Sequence, residues 1–381
     1  LDAGRRCDSL VHEALVFLAG HEFPVDSAAV LAVVEAGCLD RLVRLAVDHR
    51  LGAVLADVLQ TTDMGPPESL KSLVAADRII RLQSMSMLAK VAAVLDSGGV
   101  GWACVKGPAV ASFMQRPELR RFNDLDILVA GSDLETAIEL LRSAGIDERN
   151  RNWEGYVKHR VGEIPMGAGT VDIDLHWHLV GLGVHRRGMR LNPAEMLTRY
   201  RRRQVGQAEV SILGPEDQLL HIALHSALSG ANRLDQMRDM AVLLETDAID
   251  LGSLADLAER YQVARLVSHA LDRARMAVGA NIDREWVDHL GGRSVGIRRR
   301  LDARPSRADS VGPTLPVSMW RDGTAATLQS LVWQIRSRAR DRLGRGVGWD
   351  VSDEDGPLYF GRDSGGPEKR AEFMAGAAVW T

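Results

Sequence analysis

Cysteine is scarce: Cys7, Cys38 and Cys104 are the whole complement in 381 residues. They are far apart and odd in number. The sequence therefore suggests neither a disulfide framework nor a paired-cysteine zinc site, and a reducing, cytoplasmic setting is expected. No uninterrupted apolar run approaches the roughly 20 residues that cross a bilayer, so no membrane partner is expected. No signal-peptide pattern is present in a chain that starts at Leu1. The chain has no G-x-x-x-x-G-K-S/T loop and no paired H-R-D and D-F-G, which argues against the common kinase classes. His221 and His225 make an H-x-x-x-H pair, but Ile222 stands where a zinc protease has its glutamate. That pair is expected to line a cleft or pack between helices. No internal repeat of fixed period is visible. The net charge of −4 argues neither for nor against nucleic acid, which is not indicated as a partner.

The chain has length for two domains or one elaborated domain, and 46% hydrophobic residues suffice for a sizeable core. Residues 7–60 carry apolar residues at helical spacing in three stretches, the last of them continuous over 39–60. TTDMGPPE (61–68) breaks the pattern, and 69–98 reads as one long helix ending at Gly98-Gly99. Ser132–Gly145 reads as a capped helix, 156–164 as a strand, 210–213 as a strand, and 215–247 and 253–279 as helices. Four regions follow: helical 1–98, a mixed core 99–214, helical 215–290, and a poorly defined tail 291–381. Within that tail, 344–367 is rich in Gly and Asp, and a loosely packed segment is expected there.

The chain is organised around Trp102–Val129. Ala103–Val105 is a short apolar run ended by Lys106-Gly107, with Pro108 where its missing N–H costs nothing to a following helix. Phe122–Val129 (FNDLDILV) is strand-like. Alternation places Phe122, Asp124, Asp126 and Leu128 on one face. Carboxylates two residues apart on one face repel, and one pKa should rise unless a cation sits between them. A divalent ion removes the conflict, and Mg²⁺ favours a few carboxylates plus substrate phosphates. The Gly107 turn offers backbone N–H groups to a phosphate. A second stretch, Val171–Val180 (VDIDLHWHLV), alternates cleanly, with Asp172, Asp174, His176 and His178 on one face and Ile173, Leu175, Trp177 and Leu179 on the other. Three carboxylates on neighbouring strands beside a Gly turn make a layout for metal-assisted phosphoryl or nucleotidyl transfer.

In these residues the chain resembles the uncharacterised nucleotidyltransferase family called NTP-transferase group five, a branch of the polymerase-β-type nucleotidyltransferases. The resemblance rests on Lys106-Gly107, Arg120, FNDLDILV with Asp124 and Asp126, and DLHW with Asp174, His176 and Trp177. It spans roughly residues 10–245. The wider superfamily usually has Gly-Ser at the turn; Lys-Gly replaces it here, so that serine contact is missing. The resemblance implies an α+β fold, a polymerase-β-like core of a small mixed sheet with flanking helices and helical regions on both sides. It implies transfer of a nucleoside monophosphate from an NTP, with ATP the expected nucleotide, and Mg²⁺ or Mn²⁺ as cofactor. The acceptor hydroxyl could belong to a small molecule, a peptide or protein, or an RNA end.

The expected roles follow. Asp124, Asp126 and Asp174 are the catalytic and metal-holding carboxylates, with Asp172 the rival of Asp174 on the same face. The motif, with Asp two residues before His, favours Asp174. Lys106, Gly107, Arg120 and His176 are the nucleotide-binding candidates, although His176 could equally be a wall residue and Arg120 a plain surface arginine. Trp177 belongs to the core. Arg233, Arg238 and Asp239 read as an ion-paired helix face that could touch a ligand. The arginines between 186 and 203 read as a solvated face, or as a guide for an anionic acceptor. Two other readings stay open: a nucleotide-binding module without transfer, and a phosphotransferase.

Overall fold

The computed structural model describes residues 2–20, 27–246, 248–302, 321–323, 325–332, 352–353, 356–357 and 363–380. The N-terminal part is helical: α1 Asp2–Ala19, α2 Ala28–Glu35, α3 Leu39–Asp48, α4 Gly52–Gln60 and the 30-residue α5 Glu68–Ser97. The continuous helix expected over 39–60 is in fact two. Arg50 takes a left-handed φ of 56°, which ends α3 and turns the chain into α4.

A mixed seven-stranded sheet follows. Its strands are β1 Trp102–Cys104, β2 Asp124–Val129, β3 Asp147–Glu148, β4 Glu163–Ala168, β5 Val171–His176, β6 Arg201–Val205 and β7 Ala208–Ile212, in the order β3-β4-β5-β2-β1-β7-β6. β2 runs parallel to β5 and antiparallel to β1. Between strands lie α6 Gly107–Ala111, α7 Leu134–Ser143, α8 Trp153–His159 and α9 Pro193–Leu197. Then come α10 Pro215–Leu228, α11 Leu234–Leu244, α12 Leu251–Arg260, α13 Ala264–Val278, α14 Arg284–Gly291 and α15 Arg293–Asp302. The fold is mostly helical α+β, as the sequence implied.

The sheet separates two cores. On one side Leu125, Ile127, Val129, Ile173 and Leu175 pack with Leu88, Val91 and Leu95 of α5, Leu134 and Ile138 of α7 and a later helix, Gly366–Ala377. On the other side Leu128, Ala103 and Val105 join the core of α10, α11, α13 and the N-terminal helices. The alternation read from β2 and β5 is therefore the division between the two cores.

Three readings need correction. The strand expected at 156–164 is α8 up to His159, followed by β4 from Glu163. The Asn152 side chain caps α8 by accepting from the Gly155 N–H at 3.0 Å, and Trp153 and Tyr156, one turn apart, both go into the core. The helix expected over 253–279 breaks into α12 and α13 at Gln262, where φ is 56°. Cys7 and Cys38 form a disulfide, with Cα atoms 6.0 Å apart, because α1 packs beside the turn between α2 and α3. The 31-residue separation hid that contact. Cys104 stays a buried thiol in β1, and burial pushes it up to about 12.

The loosely packed segment expected at 344–367 lies largely outside the described residues. Beyond it, the helix Gly366–Ala377 buries Phe373 among Trp153, Tyr156, Trp177 and Trp380, with ring centroids 5.7–6.3 Å apart. This aromatic cluster pins the helix to α8 and to Trp177, just beyond the end of β5. Phe373→Ala should cost about 3–5 kcal/mol of unfolding free energy. Urea denaturation followed by tryptophan fluorescence measures it; a loss near zero would mean that the helix contributes nothing to the sheet's core.

Candidate active site

The site begins at the turn after β1. The Val105 N–H donates to the Asp126 carbonyl at 3.1 Å, and the Ala109 N–H donates to the Lys106 carbonyl at 2.8 Å. Gly107 between them has φ +36°, and a Cβ there would stand 3.4 Å from Phe122. A side chain at this position would strain the turn that aims Lys106 inward. The Lys106 Nζ is ion-paired with Asp126 Oδ1.

The parallel register then assembles the acids. Asp124 pairs with Asp172, Asp126 with Asp174 and Leu128 with His176. Asp126 is 3% exposed. His176 Nε2 lies 3.0 Å from Asp126 Oδ1, and its Nδ1 lies 3.1 Å from Glu163 Oε2. Asp126, Asp174 and His176 each offer one ligand atom, all within 4.8 Å of one another. Two donors at right angles on one ion, each about 2.1 Å from it, would stand about 3.0 Å apart. The Asp126–His176 separation matches that edge, so these residues fit a divalent ion.

Of the expected carboxylates, Asp126 and Asp174 are brought together. Asp124 lies two register positions from Asp126, outside this group of three. Asp172 leaves the site: its side chain is 66% exposed and accepts from Arg149 Nε at 3.1 Å. His176, expected at the nucleotide, sits within the acid cluster. His178 leaves the face, because β5 ends at His176, where the Trp177 and His178 N–H groups both donate to the Gly162 carbonyl. The His178 Nδ1 accepts from the Val180 N–H at 3.0 Å.

Glu163 was not anticipated. The antiparallel pairing of β4 with β5 sets it opposite His176. Gly169 and Thr170 form the two-residue turn between Ala168 and Val171, and counting back from it would have found the match.

Burial, with the charges of Glu163 and Asp126, pushes Asp174 up to about 8. Asp126 goes the other way. Burial opposes its ionisation, but Lys106 and His176 hold it well below the usual carboxylate range. Burial alone would lower His176; Glu163 and Asp126 outweigh it and raise that imidazole. Lys106 is likewise raised, against burial, by Asp126. Asp124 is raised by burial and by the Asp126 charge. Neighbouring carboxylates with opposed shifts make this cluster a candidate functional site.

The opposite wall comes from α10 and α11. Gln218 Nε2 donates to the Val105 carbonyl at 2.6 Å, which docks α10 onto the end of β1. His221 lies one turn further along and is 1% exposed. Burial, then the Lys106 charge, pushes His221 and His225 well below their ordinary value, so both are neutral at pH 7. Arg120 is gripped by Asp239 of α11, with Nε–Oδ1 at 2.9 Å and Nη2–Oδ2 at 2.6 Å. Arg233 pairs with Asp235. The arginine run 186–203 is a solvated face in part: Arg187, Arg190, Arg201 and Arg202 are exposed, while others find partners. Arg186 stacks on Trp177 at 4.5 Å, Arg199 forks onto Asp217, Arg202 pairs with Asp96, and Arg203 lies over Phe113.

Paired acids on adjacent parallel strands, a lysine at a glycine turn and a helical wall opposite make a candidate site for a metal ion. The chain belongs to the family described as uncharacterised nucleotidyltransferase, which matches residues 38–279. Among solved structures it is similar to an antigenic nucleotidyltransferase-like protein from Paracoccidioides brasiliensis, at 16% identity and a TM-score of 0.32. That match covers 54% of this chain and 95% of the other. No curated protein matches.

The raised Asp174 sets a pH dependence. The folded protein holds this proton more tightly than the unfolded chain, so its contribution to stability is full below about pH 4 and is lost as pH rises toward 8. An ion bound by Asp174 must displace the same proton, so ion binding strengthens across that window. The thermal shift produced by Mn²⁺ should therefore be larger near pH 8.5 than near pH 6. Scanning fluorimetry at the two values checks it; equal shifts would remove Asp174 from the ion site.

Proposed function

We propose that the protein transfers a nucleoside monophosphate from an NTP, with ATP the expected nucleotide, to an acceptor hydroxyl. The observation that carries this is the buried Asp126–Asp174–His176 group beside Lys106, in a member of a nucleotidyltransferase family. Mg²⁺ or Mn²⁺ bound there would neutralise triphosphate charge and polarise the α-phosphate. Asp126, ionised by its cationic neighbours, supplies the permanent negative charge of the site. Asp124, two register positions away on the same strand face, serves the triphosphate end. Lys106 and the Gly107 backbone take phosphate oxygens, and Arg120, oriented by Asp239, presents its remaining donors to them.

The acceptor oxygen attacks the α-phosphorus, the bond to the β-phosphate oxygen breaks, and pyrophosphate leaves. Asp174, beside the ion, receives the hydroxyl proton. The acceptor class stays open between a small molecule, a peptide or protein, and an RNA end. No helix among the described residues is long and apolar enough to cross a membrane. A cytoplasmic location has the Cys7–Cys38 bond against it and requires that this bond open in a reducing compartment.

Two measurements test the assignment. Incubation with α-labelled NTP and the ion should release pyrophosphate; Asp174→Asn should lower single-turnover transfer by orders of magnitude while NTP still binds, because a base acts mainly in the transition state. Asp172→Asn should be mild. A dead Asp172→Asn with a near-normal Asp174→Asn would overturn the assignment. Separately, Lys106→Ala should weaken triphosphate binding far more than nucleoside binding by calorimetry. Equal losses would place Lys106 away from the phosphates.

A further inference from the structure

We propose that His176 is a nitrogen ligand of the ion, that Glu163 is the positioning residue that aims it, and that the protein consequently takes Mn²⁺ in preference to Mg²⁺. The inference rests on the reading that Asp126 and Asp174 hold an ion, and it goes further in naming the donor set and the ion that the set selects.

The ring of His176 is addressed at both nitrogens. Nδ1 faces Glu163 Oε2 at 3.1 Å, and Nε2 faces Asp126 Oδ1 at 3.0 Å. An ion seated between His176 and Asp126 would take the Nε2 lone pair in place of the present hydrogen bond, and a carboxylate 3.1 Å from Nδ1 favours the proton on that nitrogen, as a carboxylate behind a ligating histidine does. The backbone enforces the arrangement. His176 is the last residue of β5, with its Cα directly paired to that of Glu163 on β4. Directly opposed residues project to the same face of a sheet, so Glu163 can address the ring without leaving its strand. His176 is buried, which restricts the ring to the orientation the two carboxylates define.

The donor set is then two carboxylate oxygens and one imidazole nitrogen. Mg²⁺ is a hard ion that favours an all-oxygen octahedron, whereas first-row transition ions accept imidazole readily. The two carboxylates suit Mn²⁺ as well as Mg²⁺, so the nitrogen decides between them.

The test uses the full chain and Mn²⁺ itself. Electron paramagnetic resonance gives the Mn²⁺ affinity from the free-ion signal, and pulsed measurement reports nitrogen coupled to the bound ion. The wild type should show one imidazole nitrogen, bind Mn²⁺ more tightly than Mg²⁺ in competition, and lose Mn²⁺ in Asp126→Asn. Glu163→Leu should lower Mn²⁺ affinity by about 10–100-fold. Glu163→Gln, which keeps an oxygen beside Nδ1, should restore most of it. Mg²⁺ affinity should respond less to either change. Bound, Asp126-dependent Mn²⁺ with no nitrogen coupling would overturn the inference while leaving the carboxylate site standing. Unchanged Mn²⁺ affinity in Glu163→Leu would overturn the role of Glu163. Mn²⁺ binding indifferent to both Asp126→Asn and Asp174→Asn would overturn the parent reading as well.

Discussion

The parallel register between β2 and β5 is the constraint on which the molecule depends. It sets Asp126 beside Asp174 on one face, and Leu125 and Ile127 beside Ile173 and Leu175 on the other. A slip of one residue would send the acids into the apolar core and the aliphatic side chains into the site. The hydrophobic energy that holds the sheet to α5 and α7 is therefore the same energy that holds two carboxylates together against their repulsion. Lys106 and His176 offset part of that repulsion at Asp126, while burial first, and then the charges of Glu163 and Asp126, raise the proton affinity of Asp174.

The rest of the fold arranges a dry, rigid surround for this pair. Gln218 fastens α10 to the end of β1, and Asp239 reaches from α11 to Arg120. Both contacts join residues more than a hundred positions apart, and both bury charge or amide groups that are costly to leave unpaired. On the far side, Trp177 immediately follows His176 and stands against Phe373 and Trp380, with Arg186 stacked over it. The aromatic cluster thus stiffens the strand end that carries the imidazole. Polar chemistry on one face and aromatic packing on the other meet in adjacent residues of a single strand.

Much was legible because strands alternate. From FNDLDILV and VDIDLHW alone, the faces of Asp124, Asp126, Asp174 and His176 follow from a period of two, and the core faces follow with them. The long α5 and α7 were equally plain, since helical spacing and terminal glycines are local signals, although α7 carries no side-chain cap hydrogen bond. Where local signals conflicted, the reading failed. The segment 156–164 read as a strand, but Asn152 caps a helix there that buries Trp153 and Tyr156. The breaks at Arg50 and Gln262 depend on single left-handed residues that are not glycine, which no periodicity reveals.

The amino-acid sequence by itself determined the α+β class, the two acid-bearing strands, the side on which each acid lies and the family to which the chain belongs. Only the tertiary structure decided that Asp174 rather than Asp172 meets Asp126, that Glu163 stands behind His176, that Asp239 takes hold of Arg120, and that Cys7 closes on Cys38. The reason is physical. Facing is set within a strand by backbone geometry, whereas partners are set between strands and helices by register and packing. Those depend on contacts spread over the whole chain.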